Sequence, residues 1–125
     1  MYTEAFLKAY NESRNGTDNF YRHPMVRNFA YSDGVRECAE ASCYWMLDIL
    51  ATELPAQFRK FADVANTCEI VVTVANSKAV IAAMFEDGVV GWSKKISYTD
   101  MPEGVWKFFI ADEDGSYRMI LFTEY

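Results

Sequence analysis

The hydrophobic pattern of the chain changes its period near residue 68. Before this point apolar residues recur at helical spacing, most clearly in the stretch CYWMLDILATEL, whose broad apolar face only a buried helix tolerates. From Cys68 onward, β-branched and aromatic runs alternate with polar residues, which is the period of a strand. Because the helices come first and the strands last, the pattern predicts an α+β fold and not alternating βαβ units.

Five strands are predicted in the C-terminal half. Three of them lie in CEIVVTVAN, KAVIAAMFEDG and VVGWSKKISYTD, separated by Asn76-Ser77 and Asp87-Gly88, which suit tight hairpin turns. Two more, VWKFFIA and YRMILFTEY, are joined through DEDGS, where Asp114-Gly115 is the predicted turn. These hairpins predict an antiparallel sheet of about five strands packed against N-terminal helices.

The first half is predicted to hold short helices and extended pieces. Residues 2 to 13 have the pattern of a short amphipathic helix. Two short extended pieces are expected around Pro24, because proline disfavours helical geometry in the residue before it. Asp33 is the predicted N-cap of the next helix and Ser42 that of the core helix, which Pro55 is expected to end.

Composition predicts one domain, residues 1–125, with a substantial core. The chain is 51% hydrophobic, which excludes a disordered protein. Its formal net charge of -6 disfavours direct binding to nucleic acid and suits a partner with a basic groove. No stretch has the character of a signal peptide or of a membrane-spanning helix, so the expected location is the cytoplasm.

The cysteines do not form a recognisable pair or metal motif. Cys38, Cys43 and Cys68 show no CxxC spacing, and on an α-helix the first two would point about 140° apart. Their neighbours are mostly apolar, which indicates buried reduced thiols. We therefore expect no metal site and no internal disulfide framework.

No catalytic motif stands out in the sequence. Phosphate-binding loops, dinucleotide fingerprints, nucleophile elbows and zinc-protease motifs are all missing from it. This favours a protein that is not an enzyme, with no catalytic residue and no cofactor to assign.

Acidic residues next to aromatic ones predict a surface that binds another protein. They occur in FEDG, SYTDMPEG and ADEDG, where carboxylates would imitate or compete with phosphate and aromatic residues would supply anchors. The predicted binding residues are Glu86, Asp87, Trp92, Tyr98, Asp100, Glu103, Asp112, Glu113 and Asp114.

An alternative site is centred on His23, the only histidine. Tyr21, Arg22, His23 and Arg27 would form a patch for an anionic ligand, because guanidinium groups favour carboxylate or phosphate. The competing interpretation is that the arginines pair with carboxylates of the same domain. His23 would then bond a backbone carbonyl around Pro24 and hold the turn against the first helix.

Five short motifs, in order along the chain, resemble an uncharacterised DUF6876-like family of bacterial, phage and mobile-element proteins. They are FYRH, FAYSDGV, YWMLDILA, ISYTDMP and MILFTEY, and the resemblance spans residues 16 to 125. The chain departs from the family pattern at Ala41-Ser42-Cys43, where relatives tend to be glycine-rich.

The resemblance implies a small intracellular product of a phage or mobile element, with no activity attached. In that context we expect an inhibitor that binds a host protein or nucleoprotein complex, such as a CRISPR–Cas effector, without contacting nucleic acid or membrane. The alternatives are the His23-centred ligand-binding or catalytic module and a self-associating structural protein, a homodimer paired through a sheet edge.

Overall fold

The computed structural model describes residues 20–86 and 88–122, and the structural statements below refer to these ranges. The helix predicted at residues 2 to 13 lies outside them, as do Asp87 and the last three residues of the final motif. No helix among the described residues is long and apolar enough to cross a membrane.

The centre of the fold is a mixed sheet of seven strands in the order β1-β2-β7-β6-β3-β4-β5. All neighbouring strands are antiparallel except β2 and β7, which are parallel. The strands are β1 Phe20–Arg22, β2 Phe29–Ser32, β3 Thr67–Ala75, β4 Lys78–Glu86, β5 Val89–Ile96, β6 Gly104–Glu113 and β7 Ser116–Leu121.

The prediction of a five-stranded antiparallel sheet was wrong in strand number and in pairing. The five C-terminal strands are present, but the two extended pieces around Pro24 become β1 and β2 and join the same sheet beside β7. The α+β class itself is confirmed, and more of the described residues lie in the sheet than in helices. The error arose because side-chain alternation indicates which face is buried and says nothing about which strand lies alongside.

The strand order also departs from a simple meander. β6 does not pair with β5, which precedes it, and pairs instead with the free side of β3. Residues 97–103 make this crossing, and the backbone N–H of Thr99 donates to the Ser77 carbonyl at 2.8 Å. Met101 is buried, and the Trp106 indole N–H donates to the Pro102 carbonyl at 2.8 Å. These contacts hold the crossing against the sheet.

Two hairpin turns form where the sequence predicts them. Asn76 and Ser77 both have positive φ, 54° and 61°, and Asp114 and Gly115 have φ of 55° and 88°. Two consecutive residues with positive φ are typical of the two-residue turns that match the twist of antiparallel strands.

The helical region is nearly continuous from residue 33 to residue 60. It consists of α1 Asp33–Cys38, a π-helical turn Ala39–Cys43 and α2 Tyr44–Lys60. The N-cap of α1 is Ser32 and not Asp33, because the Ser32 hydroxyl accepts the Val35 N–H at 3.2 Å. Ser42 does not cap α2, since it lies inside the π-helical turn.

Pro55 does not end the core helix, which continues to Lys60. Proline cannot donate to the Ala51 carbonyl one turn earlier, and this normally weakens a helix. Here Leu54 and Phe58, on either side of the proline, are both buried against the sheet. Tertiary burial therefore outweighs the local preference for a helix end.

The core lies between α2 and one face of the sheet, which we call the inner face. Alternate residues of β3 (Cys68, Ile70, Val72, Val74) and of β7 (Tyr117, Met119, Leu121) are buried there. The Phe58 ring contacts the rings of Phe85 and Tyr117, with centroids 4.9 Å and 5.2 Å apart. Phe58 thus joins the helix to strands on both sides of the sheet centre.

All three cysteines are buried, as the sequence predicts for reduced thiols, and no disulfide joins them. The π-helical turn brings residue 43 back towards residue 38, and the Cys43 thiol donates to the Cys38 carbonyl at 3.4 Å. The α-helical estimate that these residues point apart therefore does not apply. Burial raises the pKa of Cys43 and of Cys68 to about 12, which disfavours the reactive thiolate.

We expect Phe58→Ala to lower the free energy of unfolding by about 3–5 kcal/mol, because it leaves a cavity beside the rings of Phe85 and Tyr117. The control Val64→Ala, at a side chain that is 47% exposed, should change it by less than about 0.5 kcal/mol. Urea unfolding followed by tryptophan fluorescence measures both. A loss for Phe58→Ala no larger than for the control would contradict this packing.

We expect the cysteines of the folded protein to resist a thiol reagent at pH 8 and to react at once in concentrated urea. Between pH 9 and about 12 the unfolded state releases thiol protons that the folded Cys43 and Cys68 retain, so stability should fall as pH rises through this window. Thiol titration and urea unfolding at several pH values check both expectations. Rapid labelling of the folded protein would show that the thiols are accessible.

Candidate functional site

His23 is buried, and both of its ring nitrogens are engaged within the protein. Nδ1 accepts the backbone N–H groups of Met25 and Val26, at 3.1 Å and 3.2 Å. Because Nδ1 accepts, the ring proton lies on Nε2, which donates to the Asp48 carboxylate of α2 at 2.8 Å. Only 3% of the His23 side chain is exposed, against 68% of the Asp48 side chain.

This geometry assigns His23 a structural role. A general base needs a free nitrogen within reach of a substrate proton, and neither nitrogen of His23 is free. As predicted for a structural role, His23 bonds to backbone groups of the turn at Pro24. The partner differs from the prediction, because the ring accepts backbone N–H groups where a bond to a carbonyl was expected.

The other members of the predicted anion patch do not gather around His23. Tyr21 lies on the inner side of β1, where the Arg36 guanidinium sits 4.4 Å from the centre of its ring. Arg22 is exposed on the opposite side of β1, and Arg27 is exposed in the turn that follows. Arg36 is also the residue that pairs with Glu40, at 3.1 Å.

The turn capped by His23 presents one large apolar side chain to solvent. Met25 is 84% exposed, the highest value among the described large hydrophobic residues that are exposed. Its backbone is held by the His23 ring, by Pro24 and by the bond from the Phe29 N–H to the Val26 carbonyl at 3.1 Å. The exposed methionine is thus carried on a restrained turn.

The β6–β7 hairpin lies directly beside this turn. The Asn28 side-chain amide donates to the Gly115 carbonyl at 2.9 Å, and the Tyr117 N–H donates to the Asn28 carbonyl at 2.7 Å. Within the hairpin, the Asp112 carboxylate accepts the Gly115 N–H at 2.8 Å. The turn and the hairpin therefore form one surface, which we call the tip surface and define by Met25, Arg27, Asp112, Glu113 and Asp114.

The predicted acidic residues divide between the two ends of the sheet. Glu86 ends β4 on the same side as the tip surface, two strands away from β6. Tyr98, Asp100 and Glu103 lie at the opposite end, in or near the crossing between β5 and β6. A nine-residue strand such as β3 is about 30 Å long, so a single compact contact cannot include both groups.

The residues at the opposite end mainly bond to one another and to the backbone. The Tyr98 hydroxyl donates to Asp100 at 2.7 Å, and this bond raises the pKa of Tyr98. Glu103 accepts the Asn76 N–H at 2.9 Å at the β3–β4 turn. Trp92 is paired with the buried Ala83 and packs against the core, so it is not an outward anchor.

A family model provides the clearest comparison with known proteins. The model of a family of unknown function, DUF6876, matches residues 6–125. The chain belongs to the DUF6876 family. A search of curated proteins and a search of solved structures found no match.

Three of the DUF6876-like motifs place a polar residue at a turn or a cap. His23 caps the turn before β2, Ser32 caps α1, and the Thr99 hydroxyl accepts the Met101 N–H at 3.1 Å. All three side chains are buried. These three side chains therefore stabilise the fold. The tip surface lies next to the first motif, FYRH.

Sequence reasoning missed three residues that build the tip surface: Met25, Asn28 and Asp48. Met25 gave one usable signal, since it is a large apolar residue directly after a proline. The partners of Asn28 and Asp48 are 87 and 25 residues away in sequence, and nothing local indicates them. The described residues contain no group of three or more side chains arranged to hold a metal ion.

We expect substitutions of His23 to distinguish the contribution of its bonds to the backbone N–H groups from that of its bond to Asp48. His23→Ala leaves two backbone N–H groups without their acceptor and removes the bond to Asp48, so it should cost roughly 2–4 kcal/mol of unfolding free energy. His23→Asn places a carbonyl oxygen near the position of Nδ1, so it should retain part of this stability. His23→Gln reaches towards Asp48 and should behave more like alanine.

Urea unfolding of the three variants at pH 7 measures this order. Equal losses for His23→Asn and His23→Gln would show that the capping bonds do not stabilise the turn. Unchanged stability of His23→Ala would remove the structural role altogether.

Proposed function

We propose that this DUF6876 protein is a non-enzymatic inhibitor that binds a host complex through its tip surface. The observation that most directly supports this proposal is the restrained turn that exposes Met25 next to the acidic hairpin Asp112–Asp114. Such a surface combines one apolar anchor with a local excess of negative charge, and it demands no catalytic group.

The anchor is supported by the way the turn is built. A side chain on a restrained backbone loses less conformational freedom on binding than one on a flexible loop, so more of its contact energy appears as affinity. Met25 carries no polar atom that would need a partner, and its thioether chain adapts to irregular pockets. An exposed methionine in this setting favours insertion into an apolar pocket of the partner.

The charge of the hairpin indicates the class of partner. Three consecutive carboxylates, Asp112 to Asp114, lie at one end of the molecule, and within residues 20–86 and 88–122 only Glu113 of the three forms an ion pair, with Arg118 at 3.7 Å. A basic groove that normally binds nucleic acid has the complementary potential. We therefore propose a nucleoprotein defence complex of the host, such as a CRISPR–Cas effector, as the partner, with the carboxylates occupying phosphate positions.

The proposed binding surface contains fewer residues than the surface predicted from the sequence. Tyr98, Asp100 and Glu103 lie at the other end of the sheet and Trp92 packs against the core, so the proposal leaves them out. The alternative module centred on His23 is disfavoured, because its ring nitrogens are both used in holding the turn.

The test is an affinity pull-down of the tagged full chain from host lysate at low and moderate salt, with duplex DNA added as competitor. The expected result is a nucleic-acid-binding complex that DNA and salt both displace. Asp112→Asn with Asp114→Asn removes two charges while keeping an amide oxygen at position 112 to accept the Gly115 N–H. This double variant should weaken retention about tenfold or more.

The matched control is Asp100→Asn with Glu103→Gln, which removes the same charge from the opposite end and keeps both acceptor oxygens. It should bind as the wild type does. Met25→Gln should also weaken binding without changing stability. An empty pull-down of well-folded protein, or equal loss in the tip and control variants, would refute the proposal.

A further inference from the structure

The described helices cover only one face of the sheet and leave the other face open. The strand pairing places alternate residues of each strand on this second side, which we call the outer face. Val80, Val105 and Phe122 on this side are 41%, 54% and 45% exposed. Exposed apolar surface of this extent on a soluble domain usually marks a contact with another molecule.

The middle of the outer face is apolar and partly concave. The rings of Phe109 and Phe122 stack with centroids 5.2 Å apart. Phe20, Phe109 and Ile120, together with Arg118, border a groove of about 370 Å³. The groove offers room for side chains supplied by whatever covers the face.

Charged residues near the middle are neutralised within the face. Lys107 lies 3.6 Å from Glu69, and Arg118 lies 3.7 Å from Glu113. Further cations, Arg22 and Lys95, lie on the two outermost strands. An apolar centre with a charged margin is the usual arrangement of a protein interface.

Because these charges are paired, electrostatic repulsion opposes contact between two copies of the chain less strongly. The net charge of -6 would make like copies repel, but many of the acidic groups lie at the two ends of the sheet and not on the outer face. Two such faces can meet with paired charges near their middle, while Arg22 and Lys95 lie at the margin. Each charged pair can also exchange partners with its equivalent across a two-fold axis.

The size of the outer face fits such a contact. Strands of three to ten residues, spaced about 4.8 Å apart with a rise of about 3.3 Å per residue, give it an area of about 800 Å². Stable interfaces bury about 800 Å² on each partner. Two twisted sheets pack face to face about 10 Å apart with their side chains interdigitated.

We infer that the outer face is a homodimer interface and that its occupant is the outer face of a second copy. The dimer is a four-layer sandwich with helices outside and the two sheets inside. This differs from pairing through a sheet edge, because no strand of one copy extends the sheet of the other. The outer face shares Glu113 with the tip surface, but the inference rests on the outer face alone and does not depend on the proposed function.

The test is sedimentation velocity of the full chain at concentrations from about 1 to about 100 μM, which bracket a micromolar Kd. The expected species has twice the 14.4 kDa mass of the chain. Val105→Lys and Val80→Lys each replace an exposed apolar side chain of the outer face with an ammonium group, and each should raise the dimer Kd at least tenfold. Both side chains are substantially exposed, so the variants should fold normally, as circular dichroism would show.

The matched control is Val64→Lys, the same change at a valine of similar exposure in the turn after α2. It should leave the dimer intact. A dimer that both outer-face variants preserve would assign the contact to an edge strand and overturn the inference. A wild-type chain that stays monomeric at every concentration would also overturn it, and would assign the face to residues 1–19 or to another protein.

Discussion

The long helix α2 and the inner face of the sheet depend on each other for burial. The strands that line the core come from both ends of the described chain, and Phe58 touches rings from two of them. This packing keeps the helix intact across Pro55, where local preference would end it. The described helices lie on the inner face and do not cover the outer face.

His23 connects the core to the surface. Its ring accepts two backbone N–H groups of an exposed turn and donates to Asp48 of the core helix, so the turn is anchored to a rigid element. A second link, from Asn28 to the hairpin, positions that turn beside three carboxylates. In the proposed function the histidine acts through the residues it positions, and chemistry at its own ring is not required.

The two proposed contact surfaces have opposite character. The tip surface is small, acidic and built on a restrained turn, which suits a charged partner met by electrostatic attraction. The outer face is broad and apolar with its charges paired, which suits a lasting contact that excludes water. Acidic residues at the ends of the sheet and paired charges on its face allow one small acidic chain to have both.

The elements and turns of this protein were determined by the sequence itself. The five C-terminal strands, the turns at Asn76-Ser77 and Asp114-Gly115, the buried cysteines and the core helix all follow from periodicity, positive-φ preferences and burial within a few residues. Tertiary structure alone decided that β6 pairs with β3, that β2 runs parallel to β7, and that His23 meets Asp48. Alternation along a strand encodes which face is buried but not which strand lies beside it, and the bonds that unite Met25 with the acidic hairpin join residues far apart in sequence.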